Sequence, residues 1–266
     1  MTSSPIPHKV RSLLGGDNVL ICRPEESAQH LATALSALGA KCHTFPTLKL
    51  LELPISDLEK QYILSLDQYQ YVIVTSQHAA KIGLELIDSY WPQFPIEQTW
   101  LAIGLKTSSL LCTENIKLIL PEKDLTSEAL LKLPQLHKVK GQKILILKGK
   151  EGRQTLTQVL SKRGARLDSI ELYERVRPSY TKKEISAALI KFKANYIVAL
   201  SGETLLNLIS LCEENNIDLS SKTFIVPSHR VANIAYEHSF KSVIIPANLK
   251  PIDLIKSITN HKKIIN

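Results

Sequence analysis

Metal-ligand spacing is missing from this chain. Its four cysteines, at 22, 42, 112 and 212, form no C-x-x-C pair, and its eight histidines show no H-x-x-x-H spacing. Metal sites in proteins are built from such clusters, so no metal centre is expected. Scattered thiols also exclude a disulfide framework and fit a reducing compartment. Aromatic residues make up only 6% of the chain, which leaves little for the stacking platforms of single-stranded nucleic-acid binders. No G-x-G-x-x-G follows an apolar run; Gly149-x-x-Gly152 lacks the first glycine of that pattern. Neither a Walker loop nor a G-x-S-x-G elbow occurs, so no nucleotide or other cofactor is expected. No apolar stretch nears the ~20 residues of a membrane span. Residues Met1–Gly16 lack the apolar core of a signal peptide and read as a flexible leader. A cytoplasmic protein with no membrane partner and no nucleic-acid partner is the expectation.

What remains is aliphatic and basic. Of 266 residues, 44% are hydrophobic, enough for two medium domains with cores of Leu, Ile, Val and Ala. The formal net charge is +8. Such a balance suits either a solvated basic surface or an anionic partner. Lys and Arg are spread along the chain, with denser runs only at 138–150, 163–177 and 262–263.

The chain repeats itself. A first apolar run, Val19-Leu20-Ile21-Cys22, is followed by Arg23-Pro24, then by Leu31, Leu35 and Leu38 at helical spacing, then by Gly39. A second run, Ile144-Leu145-Ile146-Leu147, is followed by Leu156, Leu160 and Gly164. The offset is constant at 125 (164 − 39). It recurs where Tyr71-Val72-Ile73-Val74-Thr75-Ser76 matches Tyr196-Ile197-Val198-Ala199-Leu200-Ser201. Near Trp100–Gly104 and Thr223–Pro227 it slips by two, then short strands at 117–120 and 242–245 and closing helices at 127–133 and 252–258 complete each half. Strands alternating with helices predict an α/β fold of two similar lobes, each a parallel sheet flanked by helices, with about five strands per repeat. An extended stretch is expected over 41–51.

In open parallel sheets ligands bind beyond the carboxyl ends of the strands. There the chain places Arg23; Thr75, Ser76 and Gln77; Gly104, Lys106 and Thr107; Lys148, Gly149 and Arg153; Ser201 and Gly202; and Ser228 and Arg230. These are hydroxyls, cations and glycines at predicted helix starts, whose free N–H groups favour anions. Each also has a plainer use: Thr75-Ser76 and Ser201 as helix caps, Gly104 as a tight turn, Lys148-Gly149-Lys150 as a solvated turn. No catalytic triad and no carboxylate pair stand out, so a catalyst here works by positioning and electrostatics.

The ordered motifs resemble those of the uroporphyrinogen-III synthase family. They are Val19–Pro24, Leu38-Gly39-Ala40 with Pro46, Val72–Ser76, Ala102-Ile103-Gly104-x-Lys106-Thr107, Ile144–Arg153, and above all Leu172-Tyr173-Glu174-Arg175. The resemblance runs from about Val19 to Ile258. The second half departs from it, with Leu200-Ser201 for Thr-Ser and Pro227-Ser228-His229-Arg230 for the glycine turn.

This resemblance implies flavodoxin-like lobes, one built from both chain ends (17–46 plus 174–266) and one from the middle (52–168). Two antiparallel segments, about 44–51 and 169–175, would join them. It also implies a cofactor-independent cyclising lyase, a monomer, acting on hydroxymethylbilane, a linear tetrapyrrole with four acetates and four propionates. Left alone, that substrate closes to the symmetric isomer I; the family gives isomer III with ring D inverted. Tyr173 matches the family's tyrosine implicated in proton donation to the departing hydroxyl. An open alternative is a two-lobed binding module for an anionic small ligand.

Overall fold

The computed structural model describes residues 13–112, 116–121, 126–151 and 154–265. In chain order the elements begin with β1 (Asn18–Ile21), α1 (Glu25–Ser36), β2 (Lys41–Thr44), β3 (Lys49–Glu52), α2 (Asp57–Leu64) and β4 (Tyr71–Val74). There follow α3 (Gln77–Tyr90), β5 (Thr99–Ala102), α4 (Leu105–Leu111), β6 (Lys117–Ile119), α5 (Ser127–Leu130), β7 (Lys143–Gly149) and α6 (Thr155–Lys162). The remainder is β8 (Arg166–Val176), α7 (Lys182–Ile185), β9 (Tyr196–Val198), α8 (Gly202–Glu214), β10 (Thr223–Ile225), α9 (His229–Glu237), β11 (Ser242–Ile244) and α10 (Pro251–Ile265). Among the described residues no helix is long and apolar enough to cross a membrane.

The chain forms two compact units, residues 1–49 with 176–266 and residues 50–175. In the first, five strands lie in the order β11-β10-β9-β1-β2, every neighbouring pair parallel. Its two faces carry separate cores. Leu20, Ile197 and Phe224 point to one; Val19, Ile21, Val198 and Ile225 to the other. In the second unit, six strands lie in the order β3-β8-β7-β4-β5-β6, with the pairs from β8 to β6 parallel. Val72, Trp100, Leu145 and Ile170 face one core; Ile73, Leu101, Ile144 and Ile146 face the other. Burial on both faces is why these strands read as unbroken apolar runs rather than alternating ones. Each fully buried Leu or Ile contributes about 1.5–3 kcal/mol.

The 125-residue offset governs this topology. Strands β1, β2, β9, β10 and β11 occupy the same order as β7, β8, β4, β5 and β6, their repeat counterparts. Single hydrogen bonds repeat too. Lys41 N–H donates to the Asp17 carbonyl at 2.8 Å, and Arg166 N–H to the Gln142 carbonyl at 2.9 Å. Asn195 N–H donates to Asn18 at 2.9 Å, and Gln70 N–H to Lys143 at 3.0 Å. Because β1 pairs with β9 and β4 pairs with β7, each unit combines part of one repeat with part of the other.

Two expectations need correction. Within the leader expected over 1–16, Leu14 is packed: it is fully buried and its N–H donates to the Leu38 carbonyl at 2.9 Å. Residues 1–12 lie outside the described ones. The single extended stretch over 41–51 is two strands, β2 and β3, in different sheets. Pro46 has no N–H to give a ladder, which breaks the run. The backbone here is instead taken by side chains: Tyr180 Oη donates to the Pro46 carbonyl at 2.6 Å and Asn207 Nδ2 to that of Thr47 at 2.8 Å. Beyond the break, β3 lies beside β8 at the edge of the six-stranded sheet, where Leu53 N–H donates to the Leu172 carbonyl at 3.0 Å.

Gly39 and Gly164, after α1 and α6, hold φ of 95° and 80°. Side chains there lean into the following carbonyl. Gly39→Ala and Gly164→Ala should each cost about 1–2 kcal/mol in urea unfolding. At Gly164 the new Cβ would also lie 3.2 Å from Lys140 Cγ, so that lysine stem must give way.

Candidate active site

In the unit spanning 50–175, strands β4, β7 and β8 end around a pocket of about 380 Å³. Thr75 and Ser76 follow β4, Lys148 and Gly149 end β7, Tyr173 lies on β8, and Thr126 and Ser127 begin α5. Tyr173 is 6% exposed. Its hydroxyl lies 3.0 Å from Ser76 Oγ, and its ring and that of His78 form a T-shaped pair with centroids 5.5 Å apart. Ser76 caps α3, accepting the Ala79 N–H at 3.1 Å. Thr75 spends its hydroxyl proton on the Leu147 carbonyl at 3.2 Å.

Gly149 makes room for the tyrosine. A Cβ at 149 would sit 2.7 Å from Tyr173 Cζ and 2.9 Å from Cε2. The ladder between β7 and β8 shifts register here, from Lys148 opposite Glu171 to Gly149 opposite Tyr173. Such a bulge re-aims side chains at a strand end. The pocket's lysines are paired: Lys148 with Glu171 and Lys150 with Glu174, both at 2.9 Å. The hydrogen bond to Glu174, with its charge, holds the Lys150 ammonium above the usual lysine range.

Of the residues expected from sequence, Thr75, Ser76, Lys148, Gly149 and Tyr173 line this one pocket. Gln77 and Lys106 are exposed and Thr107 is buried; with Gly104 they stand at strand ends of the same unit but outside the lining. Thr107 Oγ1 donates to the Ile103 carbonyl at 2.8 Å. Gly104 has φ 99°, so the tight-turn use applies to it. Arg153 lies outside the described residues. Lining residues not anticipated include Thr126, Ser127, Thr157 and Arg175. Thr126 accepts the Ala129 N–H at 3.1 Å, a capping signal the Thr-Ser-Glu run carries in sequence.

The other unit places Arg23, Ser201, Gly202, Ser228 and Arg230 at the ends of β1, β9 and β10. Ser201 caps α8 and meets Thr204 Oγ1 at 2.7 Å. The Arg230 guanidinium lies over Gly202, 3.5 Å from where a Cβ would be. Ser228 precedes α9 without giving it a side-chain cap. Burial lowers the Arg23 guanidinium from its ordinary value. Burial also pushes the Cys22 thiol up, helped by Cys212, and the Cys212 thiol up to about 12. Neither thiol is therefore a nucleophile near neutral pH.

The family model described as uroporphyrinogen-III synthase HemD matches residues 29–256, most of both units. The chain belongs to the uroporphyrinogen-III synthase family. Two members illustrate the likeness. The uroporphyrinogen-III synthases of Salmonella typhimurium and Escherichia coli are each 29% identical to it, over 248 and 250 residues, covering 91% of this chain and 99% of theirs. In fold it is similar to the uroporphyrinogen-III synthetase of Helicobacter pylori (TM-score 0.62, 18% identity, 91% of this chain and 99% of that one). It is likewise similar to a mutant uroporphyrinogen III synthase of Thermus thermophilus (TM-score 0.60, 15% identity, 94% and 99%). The fold shared with these synthases is α/β, with parallel sheets flanked by helices, as expected from the strand pattern.

Proposed function

We propose that this chain cyclises hydroxymethylbilane to uroporphyrinogen III, inverting ring D and releasing water, as a cofactor-independent lyase of tetrapyrrole biosynthesis. The observation that carries this is the Tyr173 hydroxyl, buried at the pocket wall and within 3.0 Å of Ser76. A phenol held there can protonate the departing hydroxyl as its C–O bond breaks. The bond's electron pair leaves with the oxygen, water departs, and an azafulvene cation remains on the chain of pyrroles. Closure through a spiro intermediate then releases one proton, which restores the phenol. Cations suit the substrate's eight carboxylates: Lys148 and Lys150 in this pocket, Arg23 and Arg230 in the other unit. Substrate carboxylates take the place of Glu171 and Glu174 on the two lysines. Gln77, Gly104, Lys106, Thr107, Arg153, Ser201, Gly202 and Ser228 complete the proposed binding set. On this reading the protein is a cytoplasmic monomer that takes neither nucleic acid nor membrane as partner.

The rate of hydroxymethylbilane loss tests this. Purified protein with no added cofactor should speed its disappearance well above spontaneous closure; equal rates would refute the proposal. Arg230→Ala removes a charge-assisted carboxylate contact worth about 1.5–3 kcal/mol. Its KM should rise roughly tenfold or more with kcat little changed. An unchanged KM would remove Arg230 from the binding set.

A further inference from the structure

The pocket contains a second hydroxyl whose role follows from its hydrogen bonds. Ser76 Oγ has one proton and two lone pairs. The Ala79 N–H takes a lone pair at 3.1 Å, and Tyr173 Oη stands 3.0 Å away. For the tyrosine to aim its own proton at a substrate, the serine must be the donor between them. We infer that Ser76 is a positioning residue that donates its hydroxyl proton to Tyr173 Oη, turning the phenol's proton into the pocket and stabilising the phenolate left after transfer. This role rests on the proposed cyclisation. It requires no transfer of the serine proton: the Tyr173 O–H bond breaks toward the leaving oxygen, and the serine's O–H bond stays intact. A hydrogen bond to a developing anion is stronger than one to a neutral oxygen, so its benefit falls on the transition state.

The repeat supplies an internal comparison. Ser201 is the counterpart of Ser76, Thr204 of Ala79 and Leu48 of Tyr173, each 125 residues away. Ser201 also caps its helix, through the Thr204 N–H at 3.0 Å, but its hydroxyl partner is Thr204 Oγ1 at 2.7 Å. In the unit that carries the tyrosine, position 79 is alanine and offers no competing hydroxyl. The serine is thereby left to Tyr173. Capping alone explains Ser201 and Ser76 equally; it does not explain the exchange of partner.

Ser76→Gly removes the hydroxyl while keeping most of the capping preference of that position. Isomer III formation by this variant should show kcat lower by about 10- to 100-fold and KM within twofold of the parent. Ser76→Thr should recover most of the loss. In a Tyr173→Phe background, Ser76→Gly should cost less than about twofold further, because the serine then has nothing to act on. Should Ser76→Gly fail to fold, Ala79→Thr keeps the serine and its cap but supplies the competing hydroxyl seen at Thr204, and kcat should fall by about tenfold. A higher KM with unchanged kcat would make Ser76 a substrate ligand and overturn the inference, as would full additivity with Tyr173→Phe. Wild-type protein that yields only isomer I would overturn the cyclisation itself, a separate failure read in the same assay.

Discussion

Tyr173→Phe should lower kcat by about 100-fold or more, with the fold and KM nearly intact. The ring is buried among Val72, Val74, Leu147 and Leu172, and phenylalanine keeps that packing. What disappears is the proton and the partner of Ser76. One lost hydrogen bond costs about 1 kcal/mol of stability, too little to unfold a domain. The products should change as well. With enzymatic closure slowed, spontaneous closure competes and isomer I should rise in the mixture. Stopped-flow kinetics with porphyrin isomer analysis would measure both. Full activity in the variant would take Tyr173 out of the chemistry and leave it a wall of the pocket.

Gly149→Val should damage activity as much as Tyr173→Phe, by a different route. Its backbone is not in the left-handed region, so a side chain is excluded here by space alone. The Cβ would lie 2.7 Å from Tyr173 Cζ and 3.1 Å from its hydroxyl. The ring must move, and the 3.0 Å contact to Ser76 goes with it. Overpacking of this kind costs about 1–3 kcal/mol. Thermal unfolding should show that loss, and turnover should drop about 100-fold. Gly149→Ala in a Tyr173→Ala background should be close to neutral in stability, because the ring it collides with is gone. A penalty that persists there would place the conflict elsewhere.

Much of the fold was legible because of where its strands lie. Ile144–Leu147 and Val72–Val74 are buried on both sheet faces, so they read as apolar runs and align across 125 residues. Gly39 and Gly164 could be matched because both end a helix with positive φ. The partition of 41–51 between two sheets was not legible. It depends on Tyr180 and Asn207 claiming the carbonyls around Pro46, contacts 134 and 160 residues distant in sequence.

The site was legible in part for the same reason. Thr75 and Ser76 follow, and Lys148 lies at the end of, strands whose order in a parallel sheet brings their ends together. Gln77 and Lys106 sit three and four residues beyond such ends, and helix geometry turns them to solvent. The link between Gly149 and Tyr173 comes from a register shift that no local pattern signals. Thr126 and Ser127 enter the pocket from α5, a four-residue helix too short for a periodic signal.

The most direct measurement is the identity of the product. Hydroxymethylbilane is given to the purified chain without metal or cofactor, the porphyrinogens are oxidised, and isomers I and III are separated by chromatography. Isomer III should dominate, with the no-enzyme control giving isomer I. Isomer I alone, from protein shown to be folded, would contradict the proposed reaction and leave a member of this family that does not control ring closure.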